Sequence, residues 1–155
     1  MKIEHIIFAG DSAGGHLTFA VALLAILRGF RKPDGILSHY PVYSIGDRFY
    51  PSNLLAIDEW LLSLPFMGCV KSCFQRNGGN PDESPIMSPM CATDKLLNLL
   101  PQVILFACEI DPLRDQAILM LDRLLRADNY QTPDRAKLIF MKEYAHGFCS
   151  FDIKG

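Results

Sequence analysis

The 155-residue chain has no concentration of positive charge: 15 Lys and Arg are scattered among 17 Asp and Glu, for a net charge of −2. Without a basic stripe there is no electrostatic footprint for nucleic acid or for an anionic membrane surface, and neither is expected as a partner. Long apolar runs are also missing. The longest, Phe19 to Leu27, is far short of the roughly 20 residues that cross a bilayer, so no transmembrane segment is expected. The N-terminus lacks the charged, then apolar, then small-residue layout of a signal peptide. The 5 cysteines are odd in number and irregularly spaced, which argues against a disulfide framework and for reduced thiols in a cytoplasmic setting. Cys69 and Cys73 stand four apart with no further Cys or His at ligand spacing, and no metal is expected. Neither a Gly-Lys-Ser/Thr phosphate loop nor a G-x-G-x-x-G dinucleotide turn occurs, so no cofactor is implied.

What the chain does have is Gly10-Asp11-Ser12-Ala13-Gly14-Gly15, a G-x-S-x-G pattern between a β-rich run and the apolar, helix-forming stretch Leu17 to Leu27. In that context the pattern reads as a nucleophile elbow, a sharp strand-to-helix turn with the serine at its apex. The flanking glycines have a steric reason, because side chains beside a strained apex would collide with the strand and helix it joins.

The remaining chain alternates strand and helix. Ile3 to Ala9, Asp34 to Tyr40, Gln102 to Cys108 and Ala136 to Lys142 read as strands, apolar on both faces as in a parallel sheet covered by helices. The elbow helix is expected to stop at Arg28, with Gly29 as C-cap and Pro33 beyond. A helix over Leu113 to Asp128 follows Asp111-Pro112, which suit its cap and first turn, and Asp94 to Leu100 reads as a shorter one. Between about 46 and 76 the periodicity weakens. Ser52 to Gln75 reads as two short helices forming a cap-like segment, and Asn77-Gly78-Gly79-Asn80-Pro81 as a turn. Leu54, Leu55, Leu61, Leu62, Leu64, Phe66 and Met67 are read first as core packing and second as the wall of an acyl pocket. The composition fits a single α/β domain over residues 1–155.

A serine hydroxyl is a weak nucleophile at neutral pH and needs a base to take its proton and an acid to orient that base. Ser12, Asp111 and His146 each directly follow a predicted strand, where loops beyond the carboxyl ends of parallel strands converge. The other histidines fit less well: His5 is placed inside a strand, His39 before Pro41, and His16 on the elbow helix in a solvated or cap-contacting role. Glu109, at a strand end, and Asp115, in a first helical turn, are the rival acids. For Asp111 itself, capping is the competing role.

Four motifs together, Gly10 to Gly15, Asn80-Pro81-Asp82-Glu83-Ser84-Pro85, Asp111-Pro112-Leu113-Arg114-Asp115 and His146-Gly147-Phe148, resemble the hormone-sensitive lipase family of α/β-hydrolases. The resemblance implies an α/β fold corresponding to the C-terminal half of an α/β-hydrolase, a mostly parallel sheet with helices on both faces, the leading strands and N-terminal cap missing. It implies Ser12 as nucleophile, His146 as base, Asp111 as acid and the Ala13 backbone N–H as an oxyanion donor. The reaction would be hydrolysis of a carboxylic ester or acylglycerol through an acyl-enzyme, in the cytoplasm or on lipid droplets. The family's His-Gly-Gly oxyanion loop precedes the elbow and has no counterpart in the nine residues before Gly10. Hence the alternative is a weak or inactive hydrolase fragment acting with a missing N-terminal half. Self-association is the further expectation, since the elbow strand would form a sheet edge. A cysteine hydrolase using Cys149 or Cys108 is a third reading, weakened because neither thiol lies in an elbow.

Overall fold

The structure, a computed structural model, describes residues 4–57, 59–75, 79–127 and 131–150. Four parallel strands lie side by side in chain order: β1 (Ile7–Asp11), β2 (Gly35–His39), β3 (Gln102–Ile110) and β4 (Ala136–Ala145). The ladders align Phe8, Ile36, Val103 and Ala136 in one row across the sheet. Against the face carrying that row lie α1 (Ala13–Arg28) and α4 (Arg114–Ala127), so that Phe19, Leu23, Met120 and Leu124 share one core with Ile36, Val103 and Leu105. Both helices fall on one face because the strands advance in a single direction and strand-helix-strand crossovers are right-handed. The opposite face is apolar too, in Leu37, Ile104 and Phe106. Among the described residues no helix covers it, and Ile7 and Ile139 there are 61% and 43% exposed.

The strands differ from expectation mainly at their ends. β1 starts at Ile7, leaving His5 before the strand, because Ile6 N–H is taken by Asp34 Oδ2 (2.8 Å) and Asp34 N–H returns to Ile6 O (2.7 Å). Ile3 lies outside the described residues. At the other end β1 runs on to Asp11, paired with His39. β3 and β4 extend past Cys108 and Lys142 because Ile110 pairs with Ala145 beyond an irregularity in the ladder. All these extensions lie at the carboxyl edge, where the loops carrying Ser12, Asp111 and His146 begin.

α1 ends at Arg28 as expected. Gly29 takes a left-handed φ of 68°, and Phe30 N–H reaches back to Ala25 O at 2.8 Å, closing the last turn. The segment after β2 forms a 3₁₀ turn, Pro51–Ile57, and helix α2 (Leu64–Gln75). The 3₁₀ turn is fastened to the start of α4: Ser52 N–H donates to Asp115 Oδ2 (2.8 Å), while Ser52 Oγ and Asn53 Nδ2 donate to Pro112 O (2.8 and 2.9 Å). α3 (Asp94–Leu97) is shorter than anticipated and is capped by Thr93, whose hydroxyl accepts Leu96 N–H at 3.3 Å. The Asn77-Gly78 part of the expected turn and the Asp128 end of the last helix lie outside the described residues.

Candidate active site

The turn between β1 and α1 holds Ser12 at φ 51°, ψ −117°, a conformation that non-glycine residues rarely take. Ser12 N–H bonds His39 O at 2.9 Å, continuing the β1–β2 ladder into the apex, and Ser12 O accepts His16 N–H at 3.0 Å, opening the helix. The strained residue is thus clamped from both sides. A Cβ on Gly10 would stand 2.5 Å from the Gly14 carbonyl carbon and oxygen, so this glycine is required. Gly14 is not: a Cβ there would meet nothing closer than Asp11 Oδ1 at 3.8 Å. The second steric requirement falls instead on Gly15, whose Cβ would lie 2.9 Å from Ser38 Oγ and 3.0 Å from His39 O, because α1 crosses β2 there at close range. Gly14→Ala is therefore expected to be neutral or to stabilise by up to about 1 kcal/mol through helix propensity. Gly10→Ala should lower stability by at least about 2 kcal/mol. Thermal melts of the two variants check this; equal melting temperatures would refute the clash.

At the carboxyl edge the three side chains singled out above meet in one hydrogen-bonded row. His146 Nε2 lies 2.8 Å from Ser12 Oγ, and His146 Nδ1 lies 3.0 Å from Asp111 Oδ2. Asp111 is fully buried and His146 is 5% exposed. A carboxylate facing Nδ1 fixes the proton on that nitrogen and leaves Nε2 as the acceptor for the serine hydroxyl. The other Asp111 oxygen, Oδ1, accepts Leu113 N–H at 2.7 Å at the turn into α4. Capping and orientation of the histidine are therefore not rivals. Each uses a different oxygen of the same carboxylate.

The competing residues are engaged elsewhere. Asp115 accepts Ser52 N–H with Oδ2 and Arg114 Nε with Oδ1, and Glu109 Oε2 accepts Glu143 N–H at 2.9 Å. His16, expected to be solvated or cap-contacting, is buried, with Nδ1 2.9 Å from Val42 O; burial holds its pKa below the usual imidazole value despite backbone acceptors that act the other way. It ties α1 to the loop after β2. His39 sets its ring edge-on against Phe106, with centroids 4.3 Å apart, and burial lowers its pKa too, partly offset by Asp11. Cys108 is fully buried, and burial, with the nearby Asp111 charge, pushes its thiol up to about 12, which leaves no thiolate at neutral pH. Cys149 is exposed, its sulfur 4.0 Å from His39 Nδ1.

A cavity of about 470 Å³ opens beside Ser12 and Ala13 and is walled largely by apolar side chains, among them Phe49, Leu62, Leu64, Phe66 and Met67. Core packing is the first expectation for the leucine-rich stretch. It fails for α2, which has no buried residue; its Leu64, Phe66, Met67 and Val70 line the cavity instead. Leu54 and Leu55 line neither core nor cavity and are exposed. Two residues that shape the site went unremarked in the sequence. Gln116 lines the cavity, is 2% exposed, and accepts Tyr43 N–H and Ser44 N–H with Oε1, both at 2.8 Å. Its signal was a polar residue in phase with Met120 and Leu124 on the core stripe of α4. Tyr40 is the second. Its φ is 34°, its ring stands edge-on to His146 at 4.8 Å and to Phe148 at 5.4 Å, and burial pushes its phenol well above the usual tyrosine pKa. A Tyr-Pro step at the end of a strand carried no hint of that.

A strained serine between strand and helix, with Asp and His brought to it from the ends of two further parallel strands, defines an α/β-hydrolase architecture. Residues 1–150 match the family profile described as alpha/beta hydrolase fold, and the chain belongs to that family. Its similarity within the family is of the hormone-sensitive lipase type. It is 46% identical over 70 residues to hormone-sensitive lipase of Homo sapiens, covering 44% of this chain and 6% of that protein. Carboxyl esterase 2 from the fungus Tuber melanosporum superposes with a TM-score of 0.81 at 26% identity, over 94% of this chain and 46% of that one. An esterase from Pyrobaculum calidifontis gives a TM-score of 0.78 at 28% identity, over 92% of this chain and 44% of that one. The chain thus spans less than half the length of each. No helix among the described residues is long and apolar enough to cross a membrane.

Proposed function

We propose that the protein hydrolyses carboxylic esters through an acyl-enzyme on Ser12. The observation that carries this reading is the continuous row Ser12 Oγ, His146 Nε2, His146 Nδ1, Asp111 Oδ2, with contacts of 2.8 and 3.0 Å. Ser12 Oγ attacks the ester carbonyl carbon while His146 Nε2 takes the hydroxyl proton, and the buried Asp111 carboxylate stabilises the imidazolium that forms. Ala13 N–H, at the N-terminus of α1, has no carbonyl behind it in the helix and supplies a donor to the oxyanion of the tetrahedral intermediate. Collapse of that intermediate returns the proton to the departing alcohol. Water, deprotonated by the same histidine, then releases the acid. The apolar cavity beside Ser12 is of the size that ligand sites commonly have and suits the hydrocarbon part of an ester or acylglycerol. A fluorophosphonate should phosphonylate the chain once, with the adduct on Ser12 by peptide mass spectrometry and absent from Ser12→Ala. An adduct on Cys149 or at another serine would overturn the assignment.

One face of the sheet is open and apolar, and on the other side of the sheet α1 leaves Leu17 and Leu27 56% and 55% exposed. β1 is an unpaired edge among the described strands. Such surface favours association, and the isolated chain is expected to sediment as a dimer or larger species, or to pair with a chain that covers this face. A clean monomer across a hundredfold concentration range would contradict this.

A further inference from the structure

We propose that Glu109 is a positioning residue which holds a bulge in β4, and that this bulge brings His146 to Asp111; the inference rests on the Ser12–His146–Asp111 reading above. Cys108 pairs with Met141 and Ile110 with Ala145, so a single residue of β3, Glu109, faces three of β4: Lys142, Glu143 and Tyr144. β4 therefore absorbs two extra residues at this point. In a regular ladder Ile110 would pair with Glu143, Asp111 would face Tyr144, and His146 would lie two residues farther along, displaced by roughly 7 Å. With the excess taken up, Ala145 stands beside Ile110, and the next residue on each strand is Asp111 or His146, whose side chains meet at 3.0 Å.

The bulge is not self-supporting. Glu143 sits at φ 63°, a left-handed conformation that a glutamate adopts only when its surroundings enforce it. What enforces it is a hydrogen bond from Glu143 N–H to Glu109 Oε2, 2.9 Å long. The backbone of Glu109 is tied down in turn, since its carbonyl accepts Arg114 Nη1 at 3.0 Å while Arg114 Nε contacts Asp115 Oδ1 at 3.1 Å in the first turn of α4. An acceptor on a fixed stretch of β3 thus captures an N–H of β4 at the point where the chain must buckle. The role needs an oxygen at that distance and no negative charge. This gives Glu109, two residues before Asp111, a task other than that of the triad acid.

The experiment compares Glu109→Ala, Glu109→Gln, Glu143→Gly and the double variant Glu109→Ala/Glu143→Gly in the full chain. Two readouts are taken on each: the rate of fluorophosphonate labelling at Ser12, and the NMR signal of the His146 Nδ1 proton held against Asp111. Glu109→Ala should slow labelling roughly 10- to 100-fold, the scale of a small misplacement of a catalytic group, and should lose or broaden the proton signal. Glu109→Gln keeps an acceptor oxygen and should match the wild type in both. Glycine takes φ near 63° without strain, so Glu143→Gly should behave as wild type and should restore most of the labelling rate and the signal when added to Glu109→Ala. A bond that merely stabilised the fold would lower the melting temperature in Glu109→Ala and leave rate and signal unchanged in the folded protein. That result, or a double variant no better than Glu109→Ala, would overturn the proposal while leaving the esterase reading in place. A wild type that shows the proton signal without labelling would count against the esterase reading alone, with the signal still deciding the role of Glu109. A wild type lacking the signal would overturn the contact on which both rest.

Discussion

Ester hydrolysis by the His146→Ala variant is expected to fall by on the order of 10⁶-fold, and adding Ser12→Ala is expected to cost almost nothing further. Under the proposed mechanism single and double losses should be nearly equal, because there His146 acts only by moving the Ser12 proton across the 2.8 Å contact between Nε2 and Oγ. A histidine that merely filled space would give additive losses. His146 is nearly buried and its ring lies against Tyr40, so the alanine variant also leaves a cavity, and some stability should be lost as well. The rates are therefore to be measured at a temperature where circular dichroism shows every variant folded. Losses that multiply in the double variant, or a His146→Ala enzyme retaining a tenth of wild-type turnover, would show that another group serves Ser12 as base.

Asp111→Asn should retain the fold and lose roughly 10⁴ in turnover. The structure divides the carboxylate between two duties, Oδ1 accepting Leu113 N–H at 2.7 Å and Oδ2 facing His146 Nδ1 at 3.0 Å. Asparagine can keep the first, since its carbonyl oxygen caps the turn as well as a carboxylate does, so the melting temperature should shift by no more than about 1 kcal/mol would produce. It fails at the second. Its amide nitrogen is a donor and would confront the Nδ1 proton, turning the imidazole to the tautomer whose Nε2 cannot accept from Ser12, and the charge that stabilises the imidazolium is gone as well. Fluorophosphonate labelling and a thermal melt on one sample separate the two duties. Full labelling with an unchanged melt would exclude Asp111 from the proton path, and since Glu109 and Asp115 accept bonds from Glu143 and from Ser52 and Arg114, neither could replace it without rearrangement.

The three residues of the Ser12–His146–Asp111 row could be singled out in the chain because each sits at a local signal: a glycine-flanked serine between strand and helix, an Asp-Pro step opening an amphipathic helix, and a His-Gly after a strand. The elbow could be placed, but its steric logic could not be completed. That a Cβ collides at Gly15 and not at Gly14 depends on how closely α1 crosses β2, a distance between segments far apart in sequence. His16 and Gln116 were opaque for a related reason. A polar side chain can be buried wherever the backbone of another segment offers it partners, here Val42 O and the N–H groups of Tyr43 and Ser44, and those partners are set by the tertiary fold.

The sequence by itself determined the α/β alternation, the end of α1 at Gly29, the elbow and the order of the three site residues, because propensity, capping and turn chemistry act within a few residues. Register, by contrast, is a relation between strands. Whether His146 reaches Asp111 depends on two residues taken up as a bulge opposite Glu109, and whether Leu64, Phe66 and Met67 line a cavity depends on where α2 lies relative to Ser12. Only the tertiary structure decided these, since a hydrogen-bonded ladder and a cavity wall are made by segments far apart in the chain, as the separations of 35 and 134 for the two His146 contacts show.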